Sequence, residues 1–155
     1  MEASASTSSE ADEYPDVTVG EGYAVVGDLD GLGEGYGFRK VRKGLGVTAF
    51  GINAIVIPAG YETGSHYHDE QEELYFVHKG TIEMEFGDGT KHRLQEGGCA
   101  RVDAATLRKV RNVGEGDAVY VCAGGKDGYV GRDGRAPEGQ NPRPGVPPGA
   151  GPDLR

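Results

Sequence analysis

Between residues 23 and 122 the chain is a succession of short apolar runs, none of which keeps a helical period. Alternation is sharpest in Thr81-Ile82-Glu83-Met84-Glu85-Phe86, where Ile82, Met84 and Phe86 share one side of an extended backbone. Comparable runs lie at residues 23–27, 37–42, 48–58, 73–78, 91–94, 99–102, 108–112 and 118–122. Turn-forming groups separate them: Pro58-Ala59-Gly60, Lys79-Gly80, Gly87-Asp88-Gly89, Glu96-Gly97-Gly98 and Gly114-Glu115-Gly116-Asp117. No segment sustains apolar spacing of a helical kind over ten residues. Short strands at regular spacing predict an all-β, antiparallel sandwich or barrel.

Composition agrees and adds boundaries. The 155 residues fit one domain with room for tails. The 28 glycines follow no period of three, so they belong to turns rather than to a collagen-like helix. Residues 1–16 are Ser, Ala and acid, with too little apolar surface to offset the entropy of ordering, and read as a disordered tail. Residues 131–155 hold six of the eight prolines and no apolar pattern, and read as a Pro/Gly-rich C-terminal tail. The barrel domain is then 17–130. The glycine run at 31–37 has no helix behind it to make a phosphate-binding N-terminus, and reads as a loop or bulged edge strand.

Charge narrows the partners. Lys and Arg number 16 against 25 Asp and Glu, a net charge of -9, which excludes a basic face for nucleic acid or for an anionic membrane. No apolar run is long enough to span a bilayer, and the first residues lack the basic start and apolar stretch of a secretory signal. Cys99 and Cys122 therefore read as reduced thiols of a cytoplasmic protein.

The chemistry concentrates at residues 60–80. His66 and His68 lie two apart, so on a strand both point to one side. An acidic loop, 69–72, leads to a strand opening with Glu73, whose carboxylate can meet the imidazoles across the sheet. Two histidines and one carboxylate on neighbouring strands make a facial triad, typical of non-haem iron and open to other divalent metals.

This stretch resembles the first signature of the cupin superfamily, G-x5-H-x-H-x(3,4)-E-x6-G, at every specified position: Gly60, His66, His68, Glu73 and Gly80. The second signature, G-x5-P-x-G-x2-H-x3-N, keeps its frame at Gly97 and Asn112 but has Asp103 for the proline, Ala105 for the glycine and Arg108 for the histidine. The resemblance implies a small single-domain cupin, an antiparallel double-stranded β-helix or jelly-roll barrel. It also implies one divalent transition metal (Fe, Mn, Ni, Cu or Zn) on His66, His68 and Glu73. In the family the histidine at position 108 is usually a fourth ligand, and a guanidinium has no lone pair to give. Arg108 is thus expected to point inward, either anchoring an anionic substrate group or pairing with Glu70, Glu72 or Glu73.

Other residues are weaker candidates. Tyr75 shares the parity of Glu73 and is expected to line the pocket or the core, whereas His78 has the opposite parity and should face away. The parity of His92 with Leu94 turns it toward the interior, as a core or surface residue rather than a ligand. Cys99 reads as a small buried hydrophobe. The cupin barrel hosts many activities. The leading expectation is a metal-dependent enzyme, oxygenase-like first, acting on a small anionic molecule. The alternative is a non-catalytic binding protein with Arg108 as the anion anchor. Small cupins commonly pair through a sheet edge, so a homodimer is expected, using residues 48–58 and the region 20–26.

Overall fold

Alternation of buried and exposed side chains builds the sheets. The structure, a computed structural model, describes residues 13–137. Its strands are β1 (Thr18–Gly20), β2 (Tyr23–Val25), β3 (Gly37–Arg39), β4 (Gly51–Ile57), β5 (Tyr67–His68), β6 (Glu72–Lys79), β7 (Ile82–Phe86), β8 (Lys91–Leu94), β9 (Cys99–Val102), β10 (Arg108–Asn112), β11 (Ala118–Gly125) and β12 (Gly134–Arg135). A five-stranded sheet, β3-β4-β11-β6-β9, faces a three-stranded sheet, β10-β7-β8, and every pairing is antiparallel. The pairs β1-β2 and β5-β12 complete the set. This is the jelly-roll barrel that the motifs imply.

In β6, Glu73, Tyr75 and Val77 are buried while Leu74, Phe76 and His78 face outward. The inward residues of the two sheets form one core, with Ile57, Val77, Ile82 and Met84 wholly inaccessible. Each of these four contributes roughly 1.5–3 kcal/mol by leaving water. Register makes the barrel interior two-ended. At one end Ile82 pairs with Asn112 and with Leu94, and Ala118 pairs with Ile57. At the other, Phe86 pairs with Arg108, and Glu73 with Val102 and Gly124. Apolar side chains fill the first end, and charged ones gather at the second.

Several local features depart from the sequence pattern. The expected strand 37–42 ends at Arg39, and a single helical turn, Val41–Leu45, follows. Gly46 stops it in the left-handed region at φ 77°, donating to Arg42 O, a position that disfavours any residue with a Cβ. One turn is too short to show a period, so the pattern could not reveal it. Cys99 is exposed, not buried: it lies opposite Phe76 on the outward side of β9, while Val102 points in. His92 lies opposite Met84, but at the rim of the barrel, where it is exposed and 3.2 Å from Thr90 Oγ1. His78 faces away, as parity requires.

Parts of both expected tails fall within the described residues. Tyr14 is buried, and β12 pairs with β5 beyond the boundary at 130 that composition suggested. Residues 1–12 and 138–155 of those tails lie outside the described residues.

The apolar end is closed by a polar side chain. Asn112 is 1 % exposed, donates through Nδ2 to Ile57 O (3.0 Å) and Gly116 O (2.9 Å), and accepts from Gly114 N (2.9 Å). It thus ties β10 to β4 and to the turn before β11. Asn112→Ala should leave the buried Ile57 carbonyl without this donor and remove the bonds that hold the turn at Gly114 and Gly116. It should lower unfolding stability by about 2–4 kcal/mol, measured by urea titration.

Candidate metal centre

The first motif does not form a continuous strand. Residues 60–66 run antiparallel to β10 through separate bonds: Gly60 N to Asn112 O (3.0 Å), Thr63 N to Val110 O (2.8 Å), and a reciprocal pair between His66 and Arg108 (2.9 Å each way). His68 N then bonds Ala104 O at 2.8 Å. The two histidines are therefore pinned by the segment 104–112, the frame of the second motif. Glu73 arrives from the neighbouring sheet on β6. A Cβ at Gly124, its partner on β11, would lie 3.0 Å from Glu73 Cγ and 2.6 Å from Gln71 Oε1, so glycine there leaves the carboxylate room.

His66, His68 and Glu73 converge, each offering a ligand atom within 4.8 Å of the others. His68 Nε2 is 3.2 Å from Glu73 Oε2, and His66 Nε2 is 4.0 Å from Oε1. Glu73 and His68 are about nine-tenths buried, and His66 is more open at 28 % side-chain exposure. His68 Nε2 is buried and makes no hydrogen bond of good geometry among the described residues, with Glu73 Oε2 beside it as an ion-pair partner. A buried nitrogen so placed, aimed at a carboxylate and a second imidazole, fits a divalent ion of the N/O-binding kind.

Arg108 points inward, as expected, and its side chain has no exposure. Its Nη2 is 3.4 Å from Glu73 Oε1 and from Asp103 O, and its Nη1 donates to Thr106 O (2.7 Å) and Ala104 O (3.3 Å). Only Nε lacks a partner. Glu70 and Glu72 are exposed on the loop, so Glu73 is the carboxylate beside this guanidinium. Tyr75 is buried in the core, stacked on Tyr120 at 6.0 Å, and donates to Glu73 Oε1 at 2.8 Å.

Two residues that the sequence left out also belong to the centre. Cys122 stands opposite Tyr75 on β11, with its thiol against Glu73 and Tyr75. Its parity with Ala118 and Tyr120 was the available signal. Asp133 Oδ1 is 2.8 Å from His68 Nδ1, and no periodicity marks an aspartate set between glycines in a Pro/Gly-rich stretch.

Electrostatics separates the three ligand candidates. Burial, then the Arg108 charge, lowers His66 to about 4. Burial alone would raise Glu73, but the adjacent His68 imidazole, the Tyr75 hydroxyl and Arg108 outweigh it and bring it down to about 2. Burial opposes the His68 imidazolium, yet Glu73 and Asp133 on its two nitrogens raise it above its ordinary value. Burial pushes the Cys122 thiol well up, and the Glu73 charge and hydrogen bond add to this.

With this geometry in view, comparison is decisive for the fold. Residues 54–124 match the family model described as the cupin domain. This segment has the cupin fold. Among solved structures, a cupin protein from Bacteroides fragilis shares 20 % identity at a TM-score of 0.59, covering 68 % of this chain and 86 % of its own. A sugar phosphate isomerase of the cupin superfamily from Silicibacter pomeroyi shares 22 % identity at 0.57, covering 64 % and 74 %. The DMSP lyase of Ruegeria pomeroyi shares 20 % at 0.52, covering 59 % and 46 %. At these identities the likeness carries the cupin fold and no activity. No curated protein matches the sequence.

The charge pattern gives a pH signature. At pH 6 His66 and Glu73 are unprotonated, whereas His68, raised above 6.5, keeps its proton. An ion taken up here must displace that proton. Zinc titrated into weakly buffered protein at pH 6 should release about one proton per ion. Affinity should climb as pH rises toward the His68 pKa and level off above it, because lower pH favours the imidazolium. Isothermal titration across pH 5.5–8 checks this.

Proposed function

We propose that the barrel holds one divalent transition metal (Fe, Mn, Ni, Cu or Zn) on His66, His68 and Glu73. We propose further that it works as a metal-dependent enzyme on a small anionic molecule, with oxygenase-like chemistry the first expectation. The observation that carries this reading is the convergence of the three side chains, with a buried His68 Nε2 that faces the Glu73 carboxylate. Such an ion, when bound, supplies Lewis acidity or redox chemistry.

The chain's own residues set the conditions. Arg108 stands where the family usually has a fourth ligand and leaves three protein ligands. The His68 imidazole and the Tyr75 hydroxyl, and then the Arg108 guanidinium, keep Glu73 ionised, and the guanidinium with the ion exceeds the charges of Glu73 and Asp133 by one, which favours an anionic ligand. The Tyr75 hydroxyl occupies one lobe of Oε1 and fixes the carboxylate. Because both Nη atoms are engaged, Arg108 acts on an anion mainly through charge, with Nε–H as its one free donor. The Arg108 charge beside Glu73 also supports the second reading, a non-catalytic small-molecule-binding cupin with Arg108 as anchor.

Elemental analysis of protein purified without chelator or nickel resin tests the centre. Wild type should carry one transition metal per chain, and His66→Ala with His68→Ala should lose it while remaining folded. Unchanged metal in that variant, or none in wild type, overturns the assignment. In a second arm, Arg108→Ala should keep its metal and lose affinity for small carboxylates and phosphate esters by roughly ten- to a hundredfold. Turnover of such anions by the loaded protein decides for the enzyme over the binding module.

We also propose a homodimer in the cytoplasm. Leu74 (48 % exposed) and Phe76 (40 %) stand on the outer side of β6 beside Val121 and Ala123, and Val19, Tyr23 and Val25 are exposed on the nearby-in-sequence pair β1-β2. The outward residues of β4, within the expected 48–58 interface, extend this apolar face through Ile52 and Val56. A face of this kind is covered by a partner more readily than by water. Two free cysteines suit a reducing compartment. Light scattering at micromolar concentration should show a dimer, and Phe76→Glu should shift it to monomer. A monomeric wild type would sink the pairing.

A further inference from the structure

We infer that Asp133 is a positioning residue of the metal centre, brought to it by the short strand that pairs with the histidine strand. The inference rests on the metal reading above and adds a residue outside both motifs.

Asp133 is 5 % exposed, and all the acceptor capacity of its carboxylate is directed at one loop. Oδ2 accepts from Glu70 N (2.9 Å) and Gln71 N (3.0 Å). Oδ1 accepts from Gln71 Nε2 at 2.7 Å and lies 2.8 Å from His68 Nδ1. An ionised carboxylate has no proton to give, so the hydrogen between Oδ1 and Nδ1 sits on the imidazole. The Gln71 amide nitrogen, 3.2 Å from Nδ1, is also a donor, so it serves the carboxylate and not the ring. With Nδ1–H fixed, the neutral ring presents its lone pair at Nε2, the buried atom facing Glu73. Asp133 thus selects both the tautomer and the rotation of one ligand.

The backbone brings the carboxylate to its place. Gly134 pairs with His68 and Arg135 with Tyr67, Asp69 N bonds Asp133 O at 3.1 Å, and Arg135 Nη2 reaches Asp69 Oδ2 at 2.7 Å. The chain therefore returns after β11 to lay its last described strand against the histidine strand. A purely structural role, in which Asp133 only ties down residues 69–71, makes different predictions.

The test compares full-length wild type with Asp133→Asn, Asp133→Ala and Arg135→Ala. Zinc affinity is measured by chelator competition, and the optical spectrum is recorded with cobalt(II). Asp133→Asn and Asp133→Ala should bind zinc about 10- to 100-fold more weakly and alter the cobalt spectrum. Arg135→Ala removes an exposed ion pair and two local bonds to the carbonyls of Arg132 and Gly134, leaves the Asp133 carboxylate in place, and should match wild type in both. Long-range proton–nitrogen NMR of zinc-loaded wild type gives a reading that needs no variant: His68 should be protonated at Nδ1 and ligated at Nε2. Wild-type behaviour in Asp133→Asn, equal losses in Asp133→Asn and Arg135→Ala, or zinc on His68 Nδ1 would each overturn the inference while leaving the metal centre intact. A wild type that binds neither zinc nor cobalt overturns both readings.

Discussion

One buried carboxylate organises the polar end of this barrel. Glu73 keeps a tenth of its side-chain exposure, and an ionised group so placed costs several kcal/mol unless other charges and donors compensate it. The compensation comes from four directions: the His68 imidazole, the Arg108 guanidinium, the Tyr75 hydroxyl and, farther off, His66. They come from three stretches of backbone: the segment 60–68, β10 and β6 itself. The register of β6, β10 and the segment 60–68 must therefore be right before the site exists. Slipping β6 by one residue would bury Leu74 and Phe76 and turn Glu73 out to water.

The same alternation serves packing and chemistry along a single strand. Glu73, Tyr75 and Val77 point the same way from β6, and they pass from ionised carboxylate to amphipathic aromatic to pure hydrophobe. The barrel interior consequently has a dry, close-packed end, capped by Asn112, and a charged end. A site built this way stands on strands that the core already holds rigid, which is what a metal centre needs if its ligands are to be held in place.

Arg108 shows how a cation can be kept beside a candidate metal group. Its side chain is buried completely and leashed by three backbone carbonyls of residues 103–106 as well as by Glu73. The carbonyls spread its charge and hold the guanidinium on the carboxylate. A positive group thus shares the interior with the ligand set without filling the position of a ligand atom.

Much of this was legible in the chain itself. Period-two alternation in runs such as 81–86, broken by glycine turns, specifies an antiparallel β fold because side chains on a strand have only two directions. The spacing of His66, His68 and Glu73 brings these three side chains together for the same reason. Where side-chain direction is not decided by strand parity, the sequence was silent or misleading. Cys99 sits on the outward side of an edge strand that could have been read either way, and the turn Val41–Leu45 is too short to have a period. Cys122 meets Glu73 only because β11 lies beside β6. Asp133, 60 residues from Glu73, reaches His68 only because the chain turns back after β11 and adds β12 to β5. Contacts within a strand or across a hairpin are written in local order, whereas contacts made by a returning segment depend on how the whole barrel closes.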